Sequence, residues 1–201
     1  MSNAGAALTN DKEQRPLPII LDCDPGADDA VLLLMALACP DKFEILGITT
    51  VCGNAPLSSI NENACKVVEL SGRGTVPVFA GCPRPMIQRP SIVIHHSHYH
   101  GEGGLECTLP SPTHVKIQPI HAVQFILDTL KRHPTKVTLS VSGPMTNIAV
   151  CFIQDPSLLL AKVEQIVCMG GKCHGFEAGT AKNFSHTSIF VVTVTFGYTF
   201  N

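Results

Sequence analysis

A run of acidic residues between a buried strand and a buried helix constrains the fold of this chain most. Four carboxylates fall within the eight residues 22–29, with the sequence DCDPGADD. The preceding residues, 18–21, are apolar without interruption, which is typical of a strand covered on both faces. The following residues, Ala30–Ala38, are also apolar and predict a buried helix. We therefore expect the acids at the carboxyl end of a buried parallel strand, where open α/β sheets bind their ligands.

The same acids predict a bound cation. Like charges this close together raise one another's pKa unless a positive charge lies among them. A hard divalent cation held by carboxylate oxygens would supply that charge. The alternative is a solvated acidic turn in which Asp28 and Asp29 serve only the dipole of the following helix. Helix capping accounts for one or two of these acids but not for four, so the pattern favours a cation site.

Strands and helices alternate along most of the chain. We predict strands at 18–23, 43–51, 76–80, 137–141 and 165–169, and helices at 28–39, 57–71, 119–134 and 146–152. This order is typical of a doubly wound, mainly parallel sheet flanked by helices. Residues 81–118 are rich in Pro, His and Gly and predict a long functional loop region.

The two ends of the chain differ from its centre. We predict a disordered leader at 1–16, an α/β domain at 17–171 and a divergent tail of uncertain structure at 172–201. Residues 189–196 are rich in β-branched side chains. Either they form an edge strand, or they are a foreign end on a shortened chain.

Composition narrows the class of protein. The formal net charge of -2, without a basic run, argues against a nucleic-acid or anionic-membrane partner. The longest apolar run, Ala30–Cys39, is too short to span a bilayer. The nine cysteines are an odd number and contain no CxxC pair, and no signal peptide is visible. These features predict reduced thiols in a cytoplasmic protein.

The stretch Asp22–Asp29 resembles the N-terminal signature of the inosine-uridine preferring nucleoside hydrolases. Four further stretches agree in order and rough spacing: 48–54 (ITTVCGN), 100–105 (HGEGGL), 142–149 (SGPMTNIA) and 167–171 (VCMGG). The resemblance covers about residues 17–171. It implies a Rossmann-like α/β fold that is shortened relative to the family.

The resemblance also implies an activity and a site. The activity is hydrolysis of the N-glycosidic bond of purine or pyrimidine ribonucleosides to base and ribose by a Ca²⁺-bound water, as used in base salvage. The implied calcium ligands are Asp24, Asp29 and the backbone carbonyl of Thr146, and the implied substrate-binding residues are Asp28, Asn54 and His100. Asp24 is also the expected catalytic base. The implied partner is a small-molecule nucleoside, and self-association into a homo-oligomer stays open.

Several of these residues have simpler interpretations. Asn54 follows Gly53 after a strand, which is typical of a plain turn. Thr146 and Asn147 could cap the next helix. The histidine-rich loop could bind zinc through His95, His96, His98, His100, Cys107 and His114, although this spacing favours a solvated loop over a closed structural site.

The match to the family weakens after residue 171. There the family continues with a Glu-Phe-Asn core, whereas this chain has Asn183-Phe184-Ser185. The family also carries a further metal-binding Asp and a leaving-group His, for which only His174 and His186 come into consideration here. The alternative to an active hydrolase is therefore a truncated, non-catalytic relative that retains metal or partner binding. A phosphatase of the haloacid dehalogenase type is disfavoured, because it needs Thr or Val where this chain has Gly26.

Overall fold

A mainly parallel sheet forms the centre of the computed structural model, which describes residues 15–86, 100–101, 103–105, 109–169 and 191–195. Its strands are β1 (Leu17–Cys23), β2 (Phe43–Thr50), β3 (Val78–Ala80), β4 (Ile117–Gln118), β5 (Val137–Val141), β6 (Val163–Met169) and β7 (Val191–Thr195). The spatial order is β4-β3-β2-β1-β5-β6-β7. Strands β1 to β6 run parallel, and β7 pairs antiparallel with β6. The predicted doubly wound, mainly parallel sheet is confirmed.

The helices cover both faces of this sheet. They are α1 (Ala27–Ala38), α2 (Leu57–Leu70), α3 (Ala122–Arg132), α4 (Thr146–Gln154) and α5 (Pro156–Lys162). Successive side chains of a strand point to opposite faces. In β1, Ile19 and Leu21 pack with α1 and α2, whereas Ile20 packs with α3, α4 and α5. The strand order reverses between β1 and β5, and this is the point at which such sheets bind ligands.

One helix was predicted with the wrong start, and two short elements were missed. Helix α3 begins at Ala122 and not at Pro119, because the His121 ring caps it by accepting a hydrogen bond from the Val123 N–H (3.2 Å). Helix α5 was not predicted, although Asp155 caps it through the Leu158 N–H (3.0 Å) and Pro156 opens it. Strand β4 was also missed, since two residues carry no periodic signal.

The apolar sequence of α1 predicted a buried helix, but only one of its faces is buried. Leu33 and Leu37 enter the core, whereas Val31 and Met35 are 56% and 66% exposed. Across the described part of the chain, no helix combines the length and apolar character needed to cross a membrane.

The chain ends were predicted as a leader at 1–16 and a tail at 172–201. Residues 1–14, 170–190 and 196–201 lie outside the described residues. Of the two interpretations of the β-rich segment, an edge strand is observed, since β7 extends the sheet beyond β6.

Candidate functional site

The predicted motifs meet at the carboxyl edge of the sheet. The acidic stretch follows β1, residues 51–54 follow β2, and residues 142–146 follow β5. These three strands are neighbours, so their following loops lie side by side. The Val51 N–H donates to the Cys23 carbonyl (3.1 Å), and the Ser142 N–H donates to the Asp22 carbonyl (2.9 Å). The fold thus brings three of the sequence motifs together.

Asp24 is held by the loop that follows β2. Its Oδ2 accepts a hydrogen bond from the Asn54 N–H (2.7 Å), and the Asn54 side-chain amide donates to the Asp24 carbonyl (2.9 Å). Two glycines pack against the same carboxylate. A Cβ at Gly53 would overlap Asp24 Oδ2, and a Cβ at Gly143 would lie only 2.8 Å from Oδ1. Asn54 therefore does more than form a turn, because it fixes the orientation of Asp24.

Asp29 forms a buried pair with Asp24. It is 1% exposed, its Oδ2 accepts from the Gly26 N–H (3.4 Å), and its Oδ1 has no hydrogen-bond partner. Burial, followed by the charge of Asp29, raises the pKa of Asp24 to about 8. Burial also raises the pKa of Asp29, against the opposing effect of the Ser142 side chain. Two carboxyls in contact and out of water favour sharing a proton or binding a cation.

Asp22 lies behind this pair, in the core of the site. Its Oδ1 accepts from the Thr49 hydroxyl and from the Asn147 side-chain amide (2.7 Å), and its Oδ2 has no partner. Burial raises the pKa of Asp22 to about 7, although these two hydrogen bonds oppose the shift. Asp22 therefore joins the strand ends behind the Asp24–Asp29 pair.

Asn147 has a role that the sequence did not indicate. Helix α4 has Met145 as its N-cap residue, so neither Thr146 nor Asn147 caps it. The fully buried Asn147 amide instead donates to Asp22 and to the Thr50 carbonyl (2.9 Å), and accepts from the Cys82 N–H (2.9 Å). It joins the ends of three strands to the start of α4. The alternation pattern of the sequence contains no signal for such a contact.

His100 lies over the acidic turn. Its Nδ1 accepts a hydrogen bond from the Ala27 N–H (3.3 Å), and its Nε2 is 3.8 Å from Asp28 Oδ1. The structure therefore brings together two of the predicted substrate-binding residues. Of the other candidate zinc ligands, His95, His96, His98 and Cys107 lie outside the described residues.

The buried carboxylates supply only part of the ligand set that a hard cation needs. Asp22, Asp24 and Asp29 are buried, none of the described ion pairs involves them, and two of their oxygens lack a partner. Carboxylate oxygens are the ligands that Ca²⁺ prefers. Among the residues that the structure describes, no group of three or more His, Cys, Asp or Glu side chains could hold a metal ion. Thr146 is the first residue of α4, three positions after Gly143, which packs against Asp24.

Comparisons with known proteins identify relatives of this chain. The model of the family described as inosine-uridine preferring nucleoside hydrolase matches residues 19–189. The inosine-uridine preferring nucleoside hydrolase of Leishmania major is 39% identical over 178 residues, which are 88% of this chain and 54% of that protein. A pyrimidine-specific ribonucleoside hydrolase of Escherichia coli is 40% identical over 156 residues, which are 76% of this chain and 47% of that protein.

Solved structures of nucleoside hydrolases also superpose on this chain. An inosine-guanosine nucleoside hydrolase superposes with a TM-score of 0.71 at 28% identity, covering 80% of this chain and 51% of that one. A purine-preferring ribonucleoside hydrolase from Gardnerella vaginalis gives 0.67 at 30% identity, covering 77% and 49%. The chain thus spans about half the length of the relatives it matches.

Proposed function

Because this chain belongs to the inosine-uridine preferring nucleoside hydrolase family, we propose that it hydrolyses the N-glycosidic bond of ribonucleosides to free base and ribose. The observation that supports this most is the buried Asp24–Asp29 pair at the switch point of the sheet. Relatives named for pyrimidine-specific, purine-preferring and inosine-uridine hydrolysis all match this chain. The proposal therefore covers purine and pyrimidine ribonucleosides, acting in base salvage in the cytoplasm.

Asp24, Asp29 and the Thr146 carbonyl are the groups that would hold the cation, which we propose to be Ca²⁺. When bound, a divalent cation would polarise a water molecule and make its proton easier to remove. The support from this chain is the unpartnered Asp29 Oδ1 and the raised pKa of both carboxyls, which indicate a site built for a positive charge.

Asp24 is the proposed base. Its carboxylate would accept the proton of the attacking water while the Asn54 N–H holds Oδ2 in place. Glycosidic cleavage passes through an oxocarbenium-like state, so the clustered carboxylate oxygens would stabilise the positive charge that develops on the sugar. The chemistry therefore benefits from the same acids that hold the cation.

Asp28 and Asn54 would recognise the ribose hydroxyls. Asp28 is partly exposed at the start of α1, and His100 lies beside it. Polar groups that are left unpaired by a substrate lacking a hydroxyl discriminate strongly against it. We therefore expect ribonucleosides to be cleaved much faster than their 2′-deoxy analogues. Self-association into a homo-oligomer stays a prediction.

The proposal is tested by calorimetric titration of Ca²⁺, combined with an assay of ribose release from inosine and uridine. Asp24→Ala should abolish both binding and turnover. Asp41→Ala is the matched control, because Asp41 is an exposed acid whose neighbour is Lys42 (3.7 Å). Ca²⁺ binding without turnover would contradict the hydrolase and favour the non-catalytic alternative. Unchanged Ca²⁺ binding in Asp24→Ala would contradict the cation site.

A further inference from the structure

Asn63 of α2 joins two loops that belong to the site. It is buried, with 5% of its surface exposed. Its side-chain amide donates to the Pro25 carbonyl in the acidic turn (3.3 Å) and to the Gly103 carbonyl (2.8 Å). An amide carries two N–H donors, so one is available for each carbonyl. A single side chain on a packed helix thus connects the acidic turn to the described residues 100–101 and 103–105, which are called segment 100–105 below.

Segment 100–105 is packed closely at this point. The Gly104 N–H donates to the Gly101 carbonyl (3.0 Å), and both glycines have positive φ angles, of 79° and 78°. A Cβ at Gly104 would lie 2.9 Å from Ala55 Cβ. The turn therefore leaves the segment little space to shift while Asn63 holds Gly103.

The Ala27 N–H sets the tautomer of the neutral His100 ring. Because Nδ1 accepts the Ala27 N–H, the neutral ring carries its proton on Nε2. That nitrogen lies on the side of Asp28 Oδ1, at 3.8 Å. Loss of the Gly103 anchor would release the ring from Ala27 and from Asp28 together.

We infer that Asn63 is a positioning residue that orients His100 against the acidic turn by anchoring segment 100–105 to α2. Its effect on substrate rests on the proposed function, in which Asp28 and His100 face the nucleoside. Its effect on the ring of His100 does not depend on that function. Asn63 itself contacts neither carboxylate of the Asp24–Asp29 pair through the hydrogen bonds described.

The first test measures the tautomer of the His100 ring by NMR in the full chain, without substrate. Nitrogen-15 spectra at mildly alkaline pH, assigned with His100→Gln, should show the Nε2–H tautomer in the parent protein. Asn63→Ala should shift these resonances toward the mixed tautomers of free histidine. Asn61→Ala is the matched control on the same helix, because Thr50 Oγ1 loses the Asn61 oxygen (2.6 Å) but keeps the Phe79 carbonyl (3.3 Å).

The second test separates positioning from general stability by kinetics. Asn63→Ala should raise KM for a ribonucleoside about tenfold, the equivalent of the lost hydrogen bond to the Gly103 carbonyl, with a smaller change in kcat. In a His100→Ala background the same change should have little further effect, because the residue acts through His100. Asn63→Leu, which keeps the branched shape of the side chain without a donor, should behave like Asn63→Ala and is the second variant if the alanine variant does not fold.

The proposed hydrolase function and the positioning role of Asn63 can be contradicted independently. A parent protein that binds Ca²⁺ but cleaves no ribonucleoside contradicts the proposed function, while the His100 spectra still decide the role of Asn63. Unchanged His100 resonances in folded Asn63→Ala or Asn63→Leu would overturn the inference. Additive effects of Asn63→Ala and His100→Ala on KM would overturn it as well.

Discussion

At the level of single residues, the Asp24 carboxylate depends on two neighbours that have no side chain. Gly53 and Gly143 come from different loops, and each approaches one carboxylate oxygen. A glycine allows such a close backbone approach because it has no Cβ. The Asn54 N–H follows directly and binds Oδ2, so the glycine and the hydrogen bond act as one support.

Gly53→Ala should therefore weaken Ca²⁺ binding by about 10- to 100-fold, the usual cost of disturbing the groups that orient a metal ligand. The added Cβ would displace Asp24 Oδ2 from its place beside Asn54. Calorimetric titration measures the affinity. Gly74→Ala is the control, because its Cβ would lie at an ordinary 3.4 Å from Val115 Cγ2. Equal affinities of the two variants would contradict the role of Gly53.

At the level of elements, helix α1 shows how packing selects one face of an apolar sequence. Its residues 30–38 are all hydrophobic, so periodicity does not identify the buried side. The structure places Leu33 and Leu37 against the sheet and α2, and leaves Val31 and Met35 in solvent. The contribution of each residue to stability should follow this division.

Leu33→Ala should lower the free energy of unfolding by about 2–5 kcal/mol, because it removes a fully buried side chain and leaves a cavity. Met35→Ala, two residues later on the same helix, should change it by no more than about 0.5 kcal/mol. Urea denaturation of both variants gives the comparison. Similar losses would show that the exposed face of α1 is covered in solution.

Glu69, near the end of α2, holds the segment that leads into β4. Its carboxylate accepts hydrogen bonds from the backbone N–H groups of Thr113, His114 and Val115 (3.0, 2.9 and 3.0 Å) and from the Thr113 hydroxyl (2.9 Å). These donors, led by the Val115 N–H, lower the pKa of Glu69 from 4.5 to about 2. The folded state therefore stabilises the ionised form of Glu69.

Glu69→Gln should destabilise the protein at neutral pH more than Glu62→Gln, whose parent residue forms an exposed pair with Lys66 on the same helix. Because the folded pKa is depressed, the contribution of Glu69 is complete above about 4.5 and is lost as the pH falls toward about 2. Urea midpoints measured through this window should converge for the parent and Glu69→Gln. A difference that does not change with pH would contradict this explanation.

At the level of the whole molecule, burial of the acidic site lowers stability as its carboxyls ionise, and the proposed cation would remove this cost. Asp22 and Asp24 have an ordinary pKa of 3.8 and folded values of about 7 and about 8. Between these limits the folded state binds more protons than the unfolded state. Stability without a cation should therefore fall as the pH rises from about 4 to about 8.

With a chelator present, urea denaturation should show this decline in the free energy of unfolding. Saturating Ca²⁺ should reverse it, because the cation binds the ionised carboxylates, and should add about 2.7 kcal/mol at a hundredfold excess over Kd. Asp24→Asn should remove the Ca²⁺ effect and part of the pH dependence. Stability that rises with pH in the chelated protein would contradict the pKa assignments.

The sequence by itself determined the alternating elements, the parallel sheet and the edge at which the acids lie. It also identified the family, through five short motifs in a fixed order. These features are local: apolar runs predict strands and helices, and parallel strands direct their following loops to one edge. Asp24, Asp28 and Asp29 were therefore recognisable as neighbours from positions 22–29 alone.

Only the tertiary structure decided which distant residues support that site. Asn63 reaches Pro25 and Gly103 across 38 and 40 positions, and Asn147 reaches Asp22 across 125. Such contacts depend on the position of whole helices relative to the sheet, and a single asparagine in a helical pattern shows nothing of its partners. The buried face of α1 could not be predicted for the same reason. Packing of distant elements, which no local pattern encodes, sets these contacts.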